Sequence, residues 1–370
     1  MFTIINELTE KFYFDLFFLK AYVDSAGIFI YNYFAIKIYG KDVRHMIYNN
    51  IDFFNAAELA DNSDGTKGLL RFPKNTISKM FSEYSASCAK GCELRFVTDA
   101  ENISLTLRAD DDAPAKAIVW RGDYYIEAFP LKAKENTVIN LTAPERFSWV
   151  EREALVKRCY SPDVWRVLID TGLASFVSLD THGAAVRPPI PDELPKKKWL
   201  AYGSSITYGE KAVYNSNCYA RQAAFMLGVD VLNKGCSGAC AIENVTADYF
   251  GAEDWDIISL EIGVNMRNVI TPEEFRHRTC YMIDKLLQTH HGKKMFVITI
   301  LPNHSIRTVV GSEFKSDHIA FNKFLNELCE CEYKNTDVFL IQGEELLPDF
   351  GGLSSDLIHP SDYGHTMIAQ

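Results

Sequence analysis

The sequence predicts an α/β protein in two parts: a run of short strands, then a parallel sheet with helices on both faces. Three observations carry this. Short apolar or alternating segments recur before residue 187, a proline-rich break follows, and strand and helix patterns alternate after it. The chain of 370 residues is 47% hydrophobic and 13% aromatic, enough to bury a large core.

The upstream segments are Cys92–Val97, Ile103–Leu107, Ala117–Trp120, Tyr124–Ala128, Thr137–Leu141, Trp165–Ile169 and Ser175–Leu179, separated by Asp, Asn, Gly and Pro. Strands at such short spacing suggest a β-sandwich of jelly-roll-like type over 46–187. The break, Arg187 to Lys198, holds four prolines. Proline fixes φ and withholds a donor, so 188–196 reads as an extended linker.

From residue 197 onward the rhythm changes. Trp199–Tyr202 is an expected strand, Asn217–Leu227 a helix stopping at Gly228, and Val229–Leu232 a second strand. Ile257–Ile262 is nearly all apolar, as a strand buried on both faces should be. Thr271-Pro272-Glu273-Glu274 reads as a capping box opening a helix to about His290. Met295–Ile300, a helix near Glu313–Cys331, and Val338–Ile341 complete the alternation. Ligand sites in such sheets lie beyond the carboxyl ends of the strands.

Four segments fall at those ends: Gly203-Ser204-Ser205-Ile206-Thr207, Asn233 to Gly238, Gly263-Val264-Asn265, and Asp356-Leu357-Ile358-His359-Pro360. Acyl transfer needs a hydroxyl nucleophile, a base suited to neutral pH, a carboxylate to orient that base, and donors for the oxyanion. Ser205, His359 and Asp356 are candidates for the first three roles. The N–H groups of Ser205 and Gly238 and the side-chain amide of Asn265 are candidates for the last. Singly, each has an ordinary reading: Ser205 as a cap, Gly238 as a turn glycine, Asn265 in an Asx turn, His359 as a surface histidine. Their joint order points to one site.

That set resembles the SGNH (GDSL-like) hydrolase superfamily. Tyr202 to Gly209 resembles its first block, Asn233 to Gly238 the second, Leu260 to Met266 the third and Ser355 to Pro360 the last. The chain departs from the common pattern at Ser204 and Met266, where Asp is usual. The resemblance covers about residues 197–370. It implies a flavodoxin-like three-layer α/β/α domain and a serine esterase working through an acyl-enzyme. Ser205 would be the nucleophile, Gly238 and Asn265 oxyanion donors, His359 the base and Asp356 its orienting acid, with no metal or organic cofactor. A strand-rich region ahead of that domain resembles the arrangement of family-two carbohydrate esterases. This motivates the expectation of an acetylesterase acting on a small-molecule or oligosaccharide ester. A lipid acyl hydrolase or thioesterase of the same fold, and a catalytically dead carbohydrate-binding protein, are the alternatives.

Arg267 and Asn268, beside Asn265, and Asn303 and His304, after the fourth strand, are candidate substrate-lining residues, with plain loop roles as the alternative. His290-His291 reads as a helix C-terminus, Asp110-Asp111-Asp112 as a solvated turn, and Trp120 to Tyr125 as a hairpin whose aromatics pack inward. Phe321, Phe324, Leu325 and Leu328 read as core. The net charge of −11 argues against nucleic acid or an anionic membrane as partner. Oligomerisation is left open. Nine scattered cysteines without zinc spacing read as reduced thiols. Residues 12–36 are rich in Phe, Tyr, Leu and Ile, but Asp15, Lys20, Asp24 and Asn32 interrupt them and no basic segment precedes them. The expectation is therefore an N-terminal extension over 1–45, no membrane anchor or signal peptide, and a cytoplasmic location.

Overall fold

The computed structural model describes residues 46–370 apart from Pro114, Lys157, Arg158 and Thr171; the extension expected over 1–45 lies outside the described residues. The described residues form seventeen strands, β1 to β17 in chain order. The strand-rich part contains β1 Ile47–Tyr48, β2 Ile51–Phe54, β3 Glu58–Asp61, β4 Lys67–Leu70, β5 Glu93–Thr98 and β6 Asn102–Ala109. It continues with β7 Ala115–Arg121, β8 Tyr124–Leu131, β9 Asn136–Thr142, β10 Val164–Asp170, β11 Ala174–Asp180 and β12 Val186–Arg187. These form two antiparallel sheets, one in the order β1-β2-β5-β10-β7-β8 with β12 also on β5, the other β3-β4-β11-β6-β9.

The two sheets share a core because their strands alternate. In β6, Ile103, Leu105, Leu107 and Ala109 are buried, whereas the residues between them are exposed or half-buried. Leu94 and Phe96 of β5, Val119 of β7, and Trp165 and Val167 of β10 meet them from the other sheet. All seven strands expected upstream are present, most of them longer by a residue or more. Strands β1 to β4, and the short helices Lys74–Ile77 and Glu83–Ser87, were not foreseen. They are too short for a period to show.

The parallel sheet comprises β13 Lys198–Gly203, β14 Asp230–Asn233, β15 Ile257–Glu261, β16 Lys294–Ile298 and β17 Val338–Ile341, in the order β14-β13-β15-β16-β17. Chain direction of strand order reverses between β13 and β15, which places a crevice at their carboxyl ends. Leu200 and Tyr202 of β13 face one helical layer, with Phe250, Phe275 and Phe321. Trp199 and Ala201 face the other, with Tyr219, Ala224 and Ile368. Helix Pro272–Thr289 starts as expected, the Thr271 hydroxyl accepting the Glu274 N–H at 3.2 Å. The box is half formed, however, because Glu274 turns to Arg278 at 2.6 Å.

Several elements differ from expectation, among them β16, which ends at Ile298 and not at Ile300. Cys218 is extended, so the helix expected from Asn217 begins at Tyr219. The helix expected from Glu313 begins at Lys315, and its last turn widens into a π-helix at Leu328–Glu332. The proline-rich stretch is not extended throughout. Pro191–Glu193 makes a 3-10 turn, and the Glu193 carboxylate accepts the Ile190 N–H at 2.9 Å and pairs with Arg187 at 2.7 Å. Helix Asn244–Ala252 was not foreseen. Among the described residues, no helix is long and apolar enough to cross a membrane.

The outer face of β5 carries charge rather than apolar side chains, and that face meets the parallel sheet. Arg95, fully buried, grips both Asp230 oxygens at 2.6 and 2.7 Å and donates to Glu93 at 2.7 Å. Arg166 and Arg221 each reach Glu93 at 2.8 Å, and the Tyr160 hydroxyl donates to Asp230 at 2.6 Å. Burial opposes the Glu93 charge, but the three guanidinium groups hold its carboxyl well below the usual range.

Candidate active site

Strand β13 ends in Gly203, and the chain turns at once into the short helix Ser205–Tyr208. Ser204 caps it, its Oγ accepting the Ile206 N–H at 3.2 Å. Ser205 therefore sits at the first helical position, at the carboxyl edge of the sheet, with 6% of its surface exposed. Its Oγ lies 2.8 Å from His359 Nε2. His359 Nδ1 lies 2.9 Å from Asp356 Oδ2. With Nδ1–H donated to the carboxylate, Nε2 is left to accept the serine proton.

Asp356 is fixed by its own loop. Its Oδ1 accepts the N–H groups of Ile358 and His359 and the Ser354 hydroxyl, each at 2.9 Å. Partial burial works against the charge, yet the bonds from His359, Ile358 and Ser354 prevail and hold the carboxyl far below the ordinary aspartate range. Ser354 N–H closes the loop on the His359 carbonyl at 2.8 Å.

The second segment packs directly on the first. Asn233 Nδ2 donates to the Thr207 carbonyl at 2.7 Å, and the Cys236 N–H to the Gly203 carbonyl at 2.8 Å. A Cβ on Gly235 would stand 2.3 Å from the Tyr208 nitrogen, so only glycine allows this approach. Gly238 is needed for a different reason than close approach: a Cβ there meets nothing within 4 Å, but φ is +68°. Asn265 Oδ1 accepts the Cys240 N–H at 3.2 Å, which leaves its Nδ2 to donate.

The four candidate lining residues divide. Arg267 is buried, donating to the Val264 carbonyl at 2.9 Å and to Ser305 Oγ at 2.8 Å, with His318 Nδ1 3.4 Å away. Asn303 is buried in the same cluster, bonded to the Leu301 carbonyl and to Ser305. Asn268 is exposed, with its N–H on Asp317 at 2.7 Å. His304 is half-buried, and its N–H donates to the Leu357 carbonyl at 2.9 Å, tying this rim to the loop of His359.

Several residues around the site were missed by sequence reasoning. Arg71 donates to the carbonyls of Asn233 and Gly235, and Asn55 also reaches the Asn233 carbonyl. Ser85 Oγ donates to the Ser237 carbonyl at 3.2 Å. Nothing local marks these positions. Glu261 had a weak signal, a carboxyl closing a mainly apolar strand. A cleft of about 520 Å³ opens beside the segment, with Tyr84, Lys90 and Lys116 on the strand-rich side and Tyr208, Val213 and Ser237 on the other. A smaller cavity of about 170 Å³, between Trp120, Tyr160 and Phe225, lies at the amino end of β14 and away from Ser205.

The other motifs found ordinary places. His290 stacks on Trp255 with ring centres 4.1 Å apart and Nε2 on the Glu253 carbonyl. Asp110 and Asp111 bind Ser175 and Tyr84, and Asp112 pairs with Lys134. The β7–β8 hairpin forms as expected, but its aromatics do not pack inward: Tyr125 is exposed, Trp120 and Tyr124 are half-buried, and Trp120 meets Tyr125 edge to face. Phe321, Leu325 and Leu328 are fully buried, whereas Phe324, also expected in the core, is half-buried against it. No group of three His, Cys, Asp or Glu side chains suited to a metal occurs among the described residues.

A parallel sheet with this order, carrying these motifs at its carboxyl edge, is the arrangement that a resemblance to the SGNH class implies. Residues 201–367 match the model of the GDSL-like Lipase/Acylhydrolase family. Among solved structures, the chain is similar to the salicylyl-acyltransferase SsfX3 from a tetracycline biosynthetic pathway, with 17% identity and a TM-score of 0.70 over 88% of this chain and 94% of that one. It is also similar to a protein described as a GDSL-like lipase from Bacteroides ovatus, with 18% identity, a TM-score of 0.61, and 81% and 88% covered. A family-two carbohydrate esterase from Clostridium thermocellum, in complex with cellohexaose, matches with 14% identity, a TM-score of 0.55, and 86% and 95% covered. At these identities the likeness is one of fold. No curated protein matches the chain.

Proposed function

We propose that the protein is a serine esterase that removes a short acyl group, acetyl first among them, from a carbohydrate. The observation that supports it best is the chain from Asp356 through His359 to Ser205, with links of 2.9 and 2.8 Å. In this reading Ser205 Oγ attacks the acyl carbon while His359 Nε2 takes its proton. The oxyanion is held by the N–H groups of Ser205 and Gly238 and by Asn265 Nδ2. His359 passes the proton to the departing alcohol, then deprotonates a water that releases the acid from Ser205. Asp356 keeps the imidazole in its working tautomer and steadies its positive form.

The division of labour follows the expected boundaries. Residues 46–187 act as a jelly-roll-like sandwich, 188–196 as the connection and 197–370 as the flavodoxin-like hydrolase domain. The alcohol part of the ester occupies the cleft between Tyr84 and Lys116 on one side and Tyr208 and Ser237 on the other. Of the lining candidates, this reading assigns His304 and Asn268 to substrate and Arg267 and Asn303 to the rim behind them. The carbohydrate assignment draws on the named esterases of similar fold.

Reaction of Ser205 with a fluorophosphonate probe, lost in Ser205→Ala, tests the nucleophile. Acetate release from acetylated oligosaccharides tests the substrate. Cleavage confined to long-chain nitrophenyl esters would replace this reading with a lipid acyl hydrolase. Transfer to an alcohol instead of water is a second reading, favoured by the likeness to an enzyme named as an acyltransferase. It calls for a transfer product when an acceptor alcohol is supplied.

A further inference from the structure

Strand β15 reads Ile257-Ile258-Ser259-Leu260-Glu261, so a run of mainly apolar residues in the middle of the sheet ends on a carboxyl group. That side chain is 1% exposed. Its Oε2 accepts three hydrogen bonds: from Ser204 N–H at 2.8 Å, Ser204 Oγ–H at 2.7 Å and Thr207 Oγ–H at 3.1 Å. Ser204 and Thr207 bracket Ser205 and Ile206, so one oxygen ties both ends of the turn on which Ser205 stands. The Thr207 hydroxyl has a single proton, and with that proton on Glu261 it accepts from the Tyr219 hydroxyl at 2.8 Å. The chain Tyr219–Thr207–Glu261 thus runs beneath the turn from the helix Tyr219–Leu227 to the central strand.

The cost of this arrangement is visible. Oε1 of the same carboxyl is buried with no hydrogen-bond partner, and among the described residues no lysine or arginine pairs with it. An orphaned buried polar atom is destabilising, a cost that an apolar residue at this strand position would avoid. Burial pushes the carboxyl up from the ordinary glutamate range, against the hydrogen bonds from Ser204 and Thr207. A neutral acid in this setting still offers Oε2 as an acceptor.

We propose that Glu261 is a positioning residue for Ser205: its carboxyl oxygen holds the Ser204–Thr207 turn so that the Ser205 hydroxyl meets His359 at hydrogen-bond distance. The inference rests on the reading of Ser205 as nucleophile. His359 comes from a separate loop near the end of the chain, so the alignment of the two groups depends on how rigidly each support is held. Glutamine at 261 keeps the acceptor oxygen and resembles the neutral acid in shape. Leucine has a similar volume and no acceptor.

The test is the rate at which a fluorophosphonate probe modifies Ser205 in the wild type, Glu261→Gln, Glu261→Leu and Thr207→Val, with urea unfolding of each protein alongside. Misplacing a nucleophile by a fraction of an ångström slows the limiting rate, so Glu261→Leu is expected to fall at least about tenfold at saturating probe, with the half-saturating concentration little changed. Glu261→Gln should recover to within about threefold of wild type, and Thr207→Val should fall between the two variants. Leucine reacting at the wild-type rate, or glutamine as slow as leucine, overturns the proposal. Should the leucine variant fail to fold, Thr207→Val at the wild-type rate does the same. A wild-type protein left unmodified at Ser205 overturns the nucleophile assignment itself, and this inference with it.

Discussion

The Arg71 guanidinium, fully buried, donates to the Gly235 carbonyl at 2.7 Å, joining the strand-rich part of the chain to the segment that carries Gly238. The same side chain reaches the carbonyls of Cys88 at 2.6 Å, Ser85 at 3.0 Å and Asn233 at 3.3 Å. The loop proposed to supply one of the three oxyanion donors is therefore held by a residue far away in sequence.

Arg71→Met should destabilise the protein by at least about 3 kcal/mol, because buried carbonyls left without a donor cost about 1–3 kcal/mol each. Asn233 keeps a second donor in Asn55, so the loss falls on the other three. Urea unfolding measures it, and a midpoint unchanged from wild type would show that the tie carries no load.

Ser205→Ala and His359→Ala should each lower kcat by about 10³-fold or more, and Asp356→Ala by somewhat less, since members of one relay do not add. The triple variant should be no slower than the worst single one. Steady-state hydrolysis of nitrophenyl acetate decides this; full activity in His359→Ala would remove the proposed base.

Asn265→Ala should cost about 10²-fold in kcat with little change in KM, the pattern of a donor used mainly in the transition state. An increase in KM alone would instead place Asn265 in ground-state binding.

Gly235→Ala sets a Cβ against the backbone of Tyr208 and Thr207, at 2.3 to 2.8 Å, where no side-chain rotation can relieve it. A loss of stability of at least about 2 kcal/mol is expected, together with slower labelling of Ser205. Wild-type values for both would mean that the two segments pack less closely than described.

His318 gives a pH dependence. Burial, and then the charge of Arg267, push its imidazole down from 6.5 to about 4. A depressed folded value means that the unfolded chain binds the proton first. The contribution to stability is complete above about pH 6.5 and is lost as pH falls towards 4. His318→Gln should flatten the fall in unfolding free energy across that window. An identical slope in both proteins would exclude His318 as its source.

Much of this protein is local in origin. The alternation in strands such as Ile103–Leu107, the cap at Thr271 and the glycine stop at Gly228 each act within a few residues, so the elements and their order can be read directly along the chain. The candidate residues were legible for the same reason: Ser205, Gly238 and Asn265 follow strand ends, and Asp356 and His359 share one short loop before the last helix. What tertiary structure alone decided is what those segments rest on. Arg71 beneath Gly235, Arg95 on Asp230 and Glu261 under Ser205 pair groups between 57 and 164 residues apart. Apart from Glu93 beside Arg95, nothing nearby in sequence announces these pairings, and burial leaves the groups stable only where folding brings donor and acceptor together.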